Sequence, residues 1–247
     1  MISVEELLQQ LVERGGSDLH VTAGAPPKIR IDGKLISTEH AVLDPETTQK
    51  LVYSILDNTQ IARFEKDLEL DMSFGIGGLG RFRTNVFMQR GAVGAVLRVI
   101  PYEIKGFRDL GLPEDLCGDI ASTPKGLVLV TGATGSGKST TLAALIDYVN
   151  RTRNEHIVTI EDPIEFVHKN KCCLVNQREI GSDTHGFKES LRAVLRQDPD
   201  VVLVGEMRDM ETIEAALTLS ETGHLTFGTL HTSDCVQTIN RIVDVFP

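Results

Sequence analysis

No stretch of this 247-residue sequence is apolar over the roughly 20 residues that a membrane-spanning helix needs. The first residues, Met1-Ile2-Ser3-Val4-Glu5-Glu6, are acidic and lack the basic-then-apolar order of a secretory signal. A cytoplasmic location is the expectation. There is no basic run or tail, and the formal net charge is −10, which weighs against a protein whose main task is gripping nucleic acid. The four cysteines, Cys117, Cys172, Cys173 and Cys235, include no Cys-x-x-Cys pair, so a structural zinc site is not expected. They read as reduced, mostly buried thiols. No internal repeat and no low-complexity tract is present.

What is present reads as two regions. Ser3 and Glu6 have capping-box spacing, and Val4, Leu7, Leu8, Leu11 and Val12 recur at helical spacing until Gly15-Gly16. Short strands are predicted near 19–21 and 29–31, with Asp32-Gly33 as a hairpin turn. Asp44-Pro45 opens a second helix carrying Leu51, Ile55 and Leu56. Strands follow at 68–74, 81–88 and 93–100, between glycine turns. Residues 1–103 thus read as a small α+β domain, and a connecting stretch runs from Tyr102 to Pro113. Residues 104–247 alternate apolar runs, at 126–131, 156–160, 201–204 and 225–230, with helices at 138–150, 187–196 and 210–221. That order predicts an α/β domain with a mainly parallel sheet.

The chemistry concentrates at the ends of those apolar runs. Gly132-Ala133-Thr134-Gly135-Ser136-Gly137-Lys138-Ser139 matches the phosphate-binding loop in full, with a strand before it and a helix after it. Its glycines let backbone N–H groups turn toward phosphate oxygens, and the helix presents its positive end. Lys138 supplies a cation, the Ser139 hydroxyl suits Mg²⁺, and Thr140 completes the nucleotide-binding set from Thr134 onward. ATP and Mg²⁺ are the expected cofactors. Val201 to Glu206 reads as a buried strand ending in an acid that faces the metal. Glu161-Asp162-Pro163-Ile164-Glu165 crowds three carboxylates at another strand end, suited to metal ligation and activation of water. His224 and His231 bracket the last apolar run, and either could meet the γ-phosphate or be an ordinary structural residue. Arg81, Arg83 and Arg98 lie in the first region; surface arginines or arginine fingers both fit them.

Together these motifs resemble the secretion and pilus ATPase family, most closely its pilus-retraction type, over nearly the whole chain. The residues that carry the resemblance begin with Gly16 to His20 and Pro26 to Gly33. They continue through Arg81 to Phe87, the phosphate loop, Glu161 to Glu165, Gly205 to Asp209 and Thr222 to Thr232. The resemblance implies a PAS-like domain before a RecA-like ATPase domain, assembled as a hexameric ring that drives pilus retraction and twitching motility. It implies that Glu165 is the base, that Glu206 acts on Mg²⁺ through water, and that Arg83 and Arg98 reach the nucleotide. It also implies an inner-membrane platform protein as partner, at the cytoplasmic face, with neither zinc nor nucleic acid. The chain stops at Val245-Phe246-Pro247, where family members continue, so a shortened form that binds nucleotide without completing the motor cycle is one expectation. A RecA-like nucleic-acid translocase and a nucleotide sensor without turnover are the rivals from other classes.

Overall fold

The computed structural model describes residues 2–100 and 103–246. The chain divides into two compact units, Met1–Pro101 and Tyr102–Pro247.

The first unit contains α1 (Val4–Glu13), β1 (Asp18–Thr22), β2 (Lys28–Ile31), β3 (Lys34–Ser37), α2 (Pro45–Tyr53) and α3 (Asn58–Asp67), then β4 (Glu69–Ile76), β5 (Gly80–Gln89) and β6 (Ala92–Ile100). Among the described residues its strands form one antiparallel sheet in the order β3-β2-β1-β6-β5-β4. Local chemistry sets the ends of the elements. The Ser3 hydroxyl accepts the Glu6 N–H at the start of α1, and Asp44 caps α2 with Pro45 in the first turn. Asp32 and Gly33 both take positive φ, as a two-residue hairpin turn requires. Leu7, Leu8 and Leu11 of α1 pack with Leu19, Ile29, Phe64, Phe82 and Leu97 in the core. Burying each such side chain contributes about 1.5–3 kcal/mol. One helix was not expected: α3 precedes β4. Its apolar pattern is thin, with Phe64 its buried residue, and a full capping box between Asp57 and Gln60 starts it.

The second unit contains α4 (Glu114–Ala121), β7 (Gly126–Thr131), α5 (Lys138–Thr152), β8 (His156–Glu161), β9 (Leu174–Glu179) and α6 (Phe187–Val194), then β10 (Val201–Val204), α7 (Met210–Glu221), β11 (Leu225–Leu230) and α8 (Cys235–Val243). Its five-stranded sheet has the order β7-β11-β10-β8-β9, every neighbouring pair parallel. The expected α/β fold with a parallel sheet is therefore present. Alternation along the strands divides the core between the two faces. Ile157, Val201 and Phe227 pack with Leu142, Ile146 and Val149 of α5. Val158, Val202 and Val204 pack with Leu191 and Val194 of α6 and Ile213 and Ala216 of α7. Part of the expected connecting stretch belongs to this core, because Phe107 stacks on Tyr148 with ring centroids 5.3 Å apart.

Two polar residues are buried in the last turns of α5. The Asn150 amide donates to Lys169 O at 2.7 Å and accepts the Lys171 N–H at 3.2 Å. Asp147 holds Lys171 Nζ at 2.5 Å and Arg151 Nε at 2.9 Å. They tie the far end of the β8–β9 loop, residues 162–173, to this helix. The cysteine expectation needs correction: all four thiols are free, but Cys172 and Cys235 are exposed and only Cys117 and Cys173 are buried. Cys172 and Cys173 lie in the loop before β9 rather than on a strand, and the turn there faces one outward. No helix among the described residues is long and apolar enough to cross a membrane.

Candidate nucleotide-binding and hydrolysis site

Because the five strands of the second unit run the same way, their carboxyl ends share one edge, where ligands of open parallel sheets bind. Five segments leave that edge. The first is the loop after β7. Gly135 and Gly137 take φ of 79° and 94°, a region open to glycine at little cost. A Cβ on Gly132 would lie 2.6 Å from Ser136 Oγ, so this bend also needs glycine. The Gly132 N–H reaches Leu230 O at 3.4 Å, joining the loop to the end of β11.

Helix α5 begins at this loop with Gly137 as cap, no side-chain cap bond and no acid in its first turn. Helices α2, α3, α7 and α8 are each capped by an aspartate. The first-turn N–H groups of α5 are thus left to a ligand, and the helix dipole favours an anion there. Lys138 folds back over the loop, donating to Gly132 O at 2.9 Å and Ala133 O at 3.0 Å. Thr134, Gly135 and Ser136 are exposed, and Ser139 and Thr140 are half-buried in the first turn of α5. An ammonium over a ring of inward N–H groups fits a chain of phosphates, and a hydroxyl one residue on fits a hard cation bound to them.

Glu206 follows β10. One carboxylate oxygen meets Arg208 Nε at 2.5 Å and His231 Nε2 at 3.1 Å. Gly205 lies close against the end of β8: a Cβ there would lie 3.1 Å from Glu161 Cα and Ile160 O. The turn is fixed to β11 by Thr229 Oγ1 donating to Gly205 O at 2.5 Å and the Met207 N–H donating to Thr229 O at 3.1 Å.

Glu161 closes β8. It is buried and accepts from Thr159 Oγ1 at 2.6 Å and Gln177 Nε2 at 3.1 Å. Burial pushes its pKa up, the negative charge of Glu165 adds to that, and the hydrogen bonds from Thr159, Gln177 and the Glu165 backbone work against it. Asp162 and Glu165 are exposed on the loop that follows, with a cis Asp162–Pro163 bond between them. Glu179 closes β9 and accepts the Ile164 N–H at 3.1 Å.

The remaining candidates lie elsewhere. His224 precedes β11, at the opposite edge of the sheet. Its Nδ1 is 3.0 Å from Leu219 O and 3.2 Å from Thr222 Oγ1. The six residues of β11 separate it from His231 by about 20 Å, so the unit does not bring both histidines to one site. Arg83 and Arg98 belong to the first unit, facing each other across β5 and β6. Arg83 is exposed. Arg98 Nε donates to buried Asp18 Oδ1 at 2.7 Å. Burial acts against the Asp18 carboxylate, but the Ser17 hydroxyl and Arg98 outweigh it and hold its pKa below the usual range. Arg81 donates to Ser73 Oγ at 2.5 Å. Sequence reasoning gave no role to Asp18, Arg208 or Gln177, although Asp18 lies in the stretch Gly16 to His20 and Arg208 in the stretch Gly205 to Asp209 that carry the resemblance. Among the described residues no three His, Cys, Asp or Glu side chains form a metal-binding group.

A profile of the family described as Type II/IV secretion system protein matches residues 1–245. Over 246 residues the chain is 53% identical to the type IV pilus retractation ATPase PilT of Pseudomonas aeruginosa, covering 100% of this chain and 71% of that protein. It is 44% identical over 243 residues to the type IV pilus ATPase PilU of the same organism, covering 98% and 63%. The crystal structure of the pilus retraction motor PilT with bound ADP superposes with a TM-score of 0.94 at 54% identity, over 100% of this chain and 72% of that one. The chain thus spans less than three quarters of the length of each of these proteins.

Proposed function

The chain belongs to the family of type II/IV secretion system proteins, and on that premise we propose that it is an ATP-hydrolysing motor subunit driving type IV pilus retraction and twitching motility. The observation that carries this reading is the uncapped glycine loop with Lys138 folded over it, on one sheet edge with the Glu206–His231 pair, in a chain 53% identical to PilT. The chain binds ATP and is an ATPase. Residues 1–103 serve as a PAS-like domain and residues 104–247 as a RecA-like domain.

Lys138 trades its two carbonyl partners for the terminal phosphates, and residues 134–140 hold the remaining phosphate oxygens. Ser139 and Glu206 would hold Mg²⁺, Glu206 through water. When bound, the ion neutralises charge developing on the transferred phosphoryl group. Glu165 accepts a proton from the attacking water. His231, 3.1 Å from Glu206, would sense the γ-phosphate from there and pass its loss to the metal-holding carboxylate. His224, at the other edge, is assigned to signalling between subunits rather than to phosphate contact in its own chain. Arg83 and Arg98 are assigned to stabilising the transition state in a homo-hexamer, so that hydrolysis depends on neighbouring copies of the chain. An inner-membrane platform protein is the proposed partner, at the cytoplasmic face of that membrane. Zinc and nucleic acid have no part in this reading.

Phosphate release, measured beside twitching in cells, tests it. Glu165→Gln is expected to keep ATP binding and lose turnover, because an amide cannot take the proton. Wild-type turnover in Glu165→Gln removes Glu165 from the role of base. Full activity per chain in a proven monomer removes the shared site.

A further inference from the structure

We propose that Gln177 is a positioning residue for hydrolysis: it fixes Glu165 by pinning the main chain that follows it, at Phe166 and His168. This rests on the reading of Glu165 as the base. Glu165 sits in the loop 162–173, which joins two parallel strands without a helix and has little regular structure. A base must be held to within a fraction of an ångström of its working position, and an irregular loop has the conformational freedom to lose that placement.

The side chain that removes this freedom comes from β9, twelve positions further along the chain. Gln177 Nε2 donates to Phe166 O at 2.8 Å and to Glu161 Oε1 at 3.1 Å, and its Oε1 accepts the His168 N–H at 2.7 Å. The amide orientation is fixed by these partners, since one end faces two acceptors and the other a donor. On the other side of Glu165, the Ile164 N–H donates to Glu179 Oε2 at 3.1 Å. The main chain before Glu165 is therefore held by Glu179, the carbonyl of the next residue is held by Gln177, and Gln177 is bonded in turn to the buried Glu161. The exposed Glu165 side chain is carried on a short piece of main chain pinned at both ends. A residue that merely satisfied the buried Glu161 would need one N–H; Gln177 commits its second N–H and its oxygen to the loop.

The test uses the assembled full-length protein with Gln177→Leu, which loses all three bonds. Gln177→Glu is the companion, keeping the acceptor for the His168 N–H but losing both donors. Steady-state phosphate release, ATP affinity, melting temperature and amide hydrogen exchange without nucleotide are read together. In both variants kcat is expected to fall about 10²-fold with KM for ATP within about threefold. The His168 amide is expected to exchange at least about tenfold faster in Gln177→Leu and to stay protected in Gln177→Glu. A kcat within about threefold of wild type in either variant overturns the proposal. So does a fall in ATP affinity in step with kcat, which marks general damage to the site. If Gln177→Leu does not fold, Gln177→Glu decides on the same criteria. Glu165→Gln, run alongside, separates the two failures. Turnover there overturns the base reading, whereas a dead Glu165→Gln beside active Gln177 variants overturns the positioning role alone.

Discussion

The two edges of the parallel sheet carry similar residues and opposite fates. At the amino edge, His224 is met by Leu219 O and Thr222 Oγ1. His156 is met there by Asp198 O and Asn176 Nδ2, and Asp200 accepts the His156 N–H. At the carboxyl edge, polar groups are held by their neighbours but kept within reach of a ligand: Lys138 on its own loop, His231 and Arg208 on Glu206. The same residue type means different things depending on which end of a strand it flanks, because aligned strands and the uncapped α5 collect unspent hydrogen-bonding capacity at one end only.

The largest effect expected from breaking this contrast is at Lys138. Removing its ammonium in Lys138→Ala should weaken ATP binding by about 10²–10³-fold, the loss of charge-assisted bonds to phosphate. A fluorescent nucleotide titration measures it, and a change below about threefold would mean that the edge does not work as described. The histidines give the next comparison. His231→Ala should lower turnover about 10- to 100-fold, since it strips a partner from Glu206. His224→Ala should leave one chain's affinity for Mg²⁺-ATP within about threefold and cost stability of about 1 kcal/mol. Equal losses of ATP affinity in the two variants would erase the distinction between the edges.

His168 supplies a smaller effect with a defined pH window. Burial lowers its pKa to about 4 against 6.5, with Asp147 opposing and Lys171 reinforcing the shift. A histidine whose pKa is depressed by folding binds more protons when unfolded. Its neutral form therefore favours the fold above the unfolded value, and that stability is lost as pH falls from about 6.5 toward 4. The loss is on the order of 3 kcal/mol. Melting curves should show His168→Gln less sensitive to acid than wild type over that range; parallel curves would contradict the assignment. The smallest effect separates a capped helix from the uncapped α5. Asp209 accepts the Thr212 N–H at 2.8 Å at the start of α7, so Asp209→Ala should cost about 1 kcal/mol in denaturant titrations. ATP affinity should hold, because this helix has already satisfied its own end.

The sequence made legible whatever rests on contiguous residues. The glycine loop, the helix behind it and the apolar runs at β8, β10 and β11 all announce themselves, and so do the turn at Asp32-Gly33 and the cap at Asp44. Strand β9 does not: Asn176, Gln177 and Arg178 interrupt any apolar run, because this edge strand uses its side chains to bond the loop and α6 rather than to fill the core. Helix α4 has a proline at its cap position with no side-chain bond. Helix α8 leaves Val236, Ile239 and Val243 exposed while Ile242 packs against the core, so its apolar pattern marks the buried face poorly. The two histidines shared one sequence signal, and only strand direction separated them. Gln177 lay beyond reach for a different reason. Its meaning comes from three partners in another segment, and nothing in the spacing of residues encodes a bond to a main-chain carbonyl.

Helix α5 has a mechanical consequence. It begins under Lys138 and ends with Asn150 and Asp147 gripping the loop at Lys169 and Lys171, a span of about 22 Å for its 15 residues. A hydrogen-bonded rod of that length bends little, and its flank is wedged against the sheet by Leu142, Ile146 and Val149. One stiff element thus joins the phosphate loop to the far end of the loop that carries Glu165. On the proposed reading, that element is a solid shaft between the place of the γ-phosphate and the segment that bears the proposed base. The two polar residues buried in the last turns of α5 are the coupling pins of that shaft.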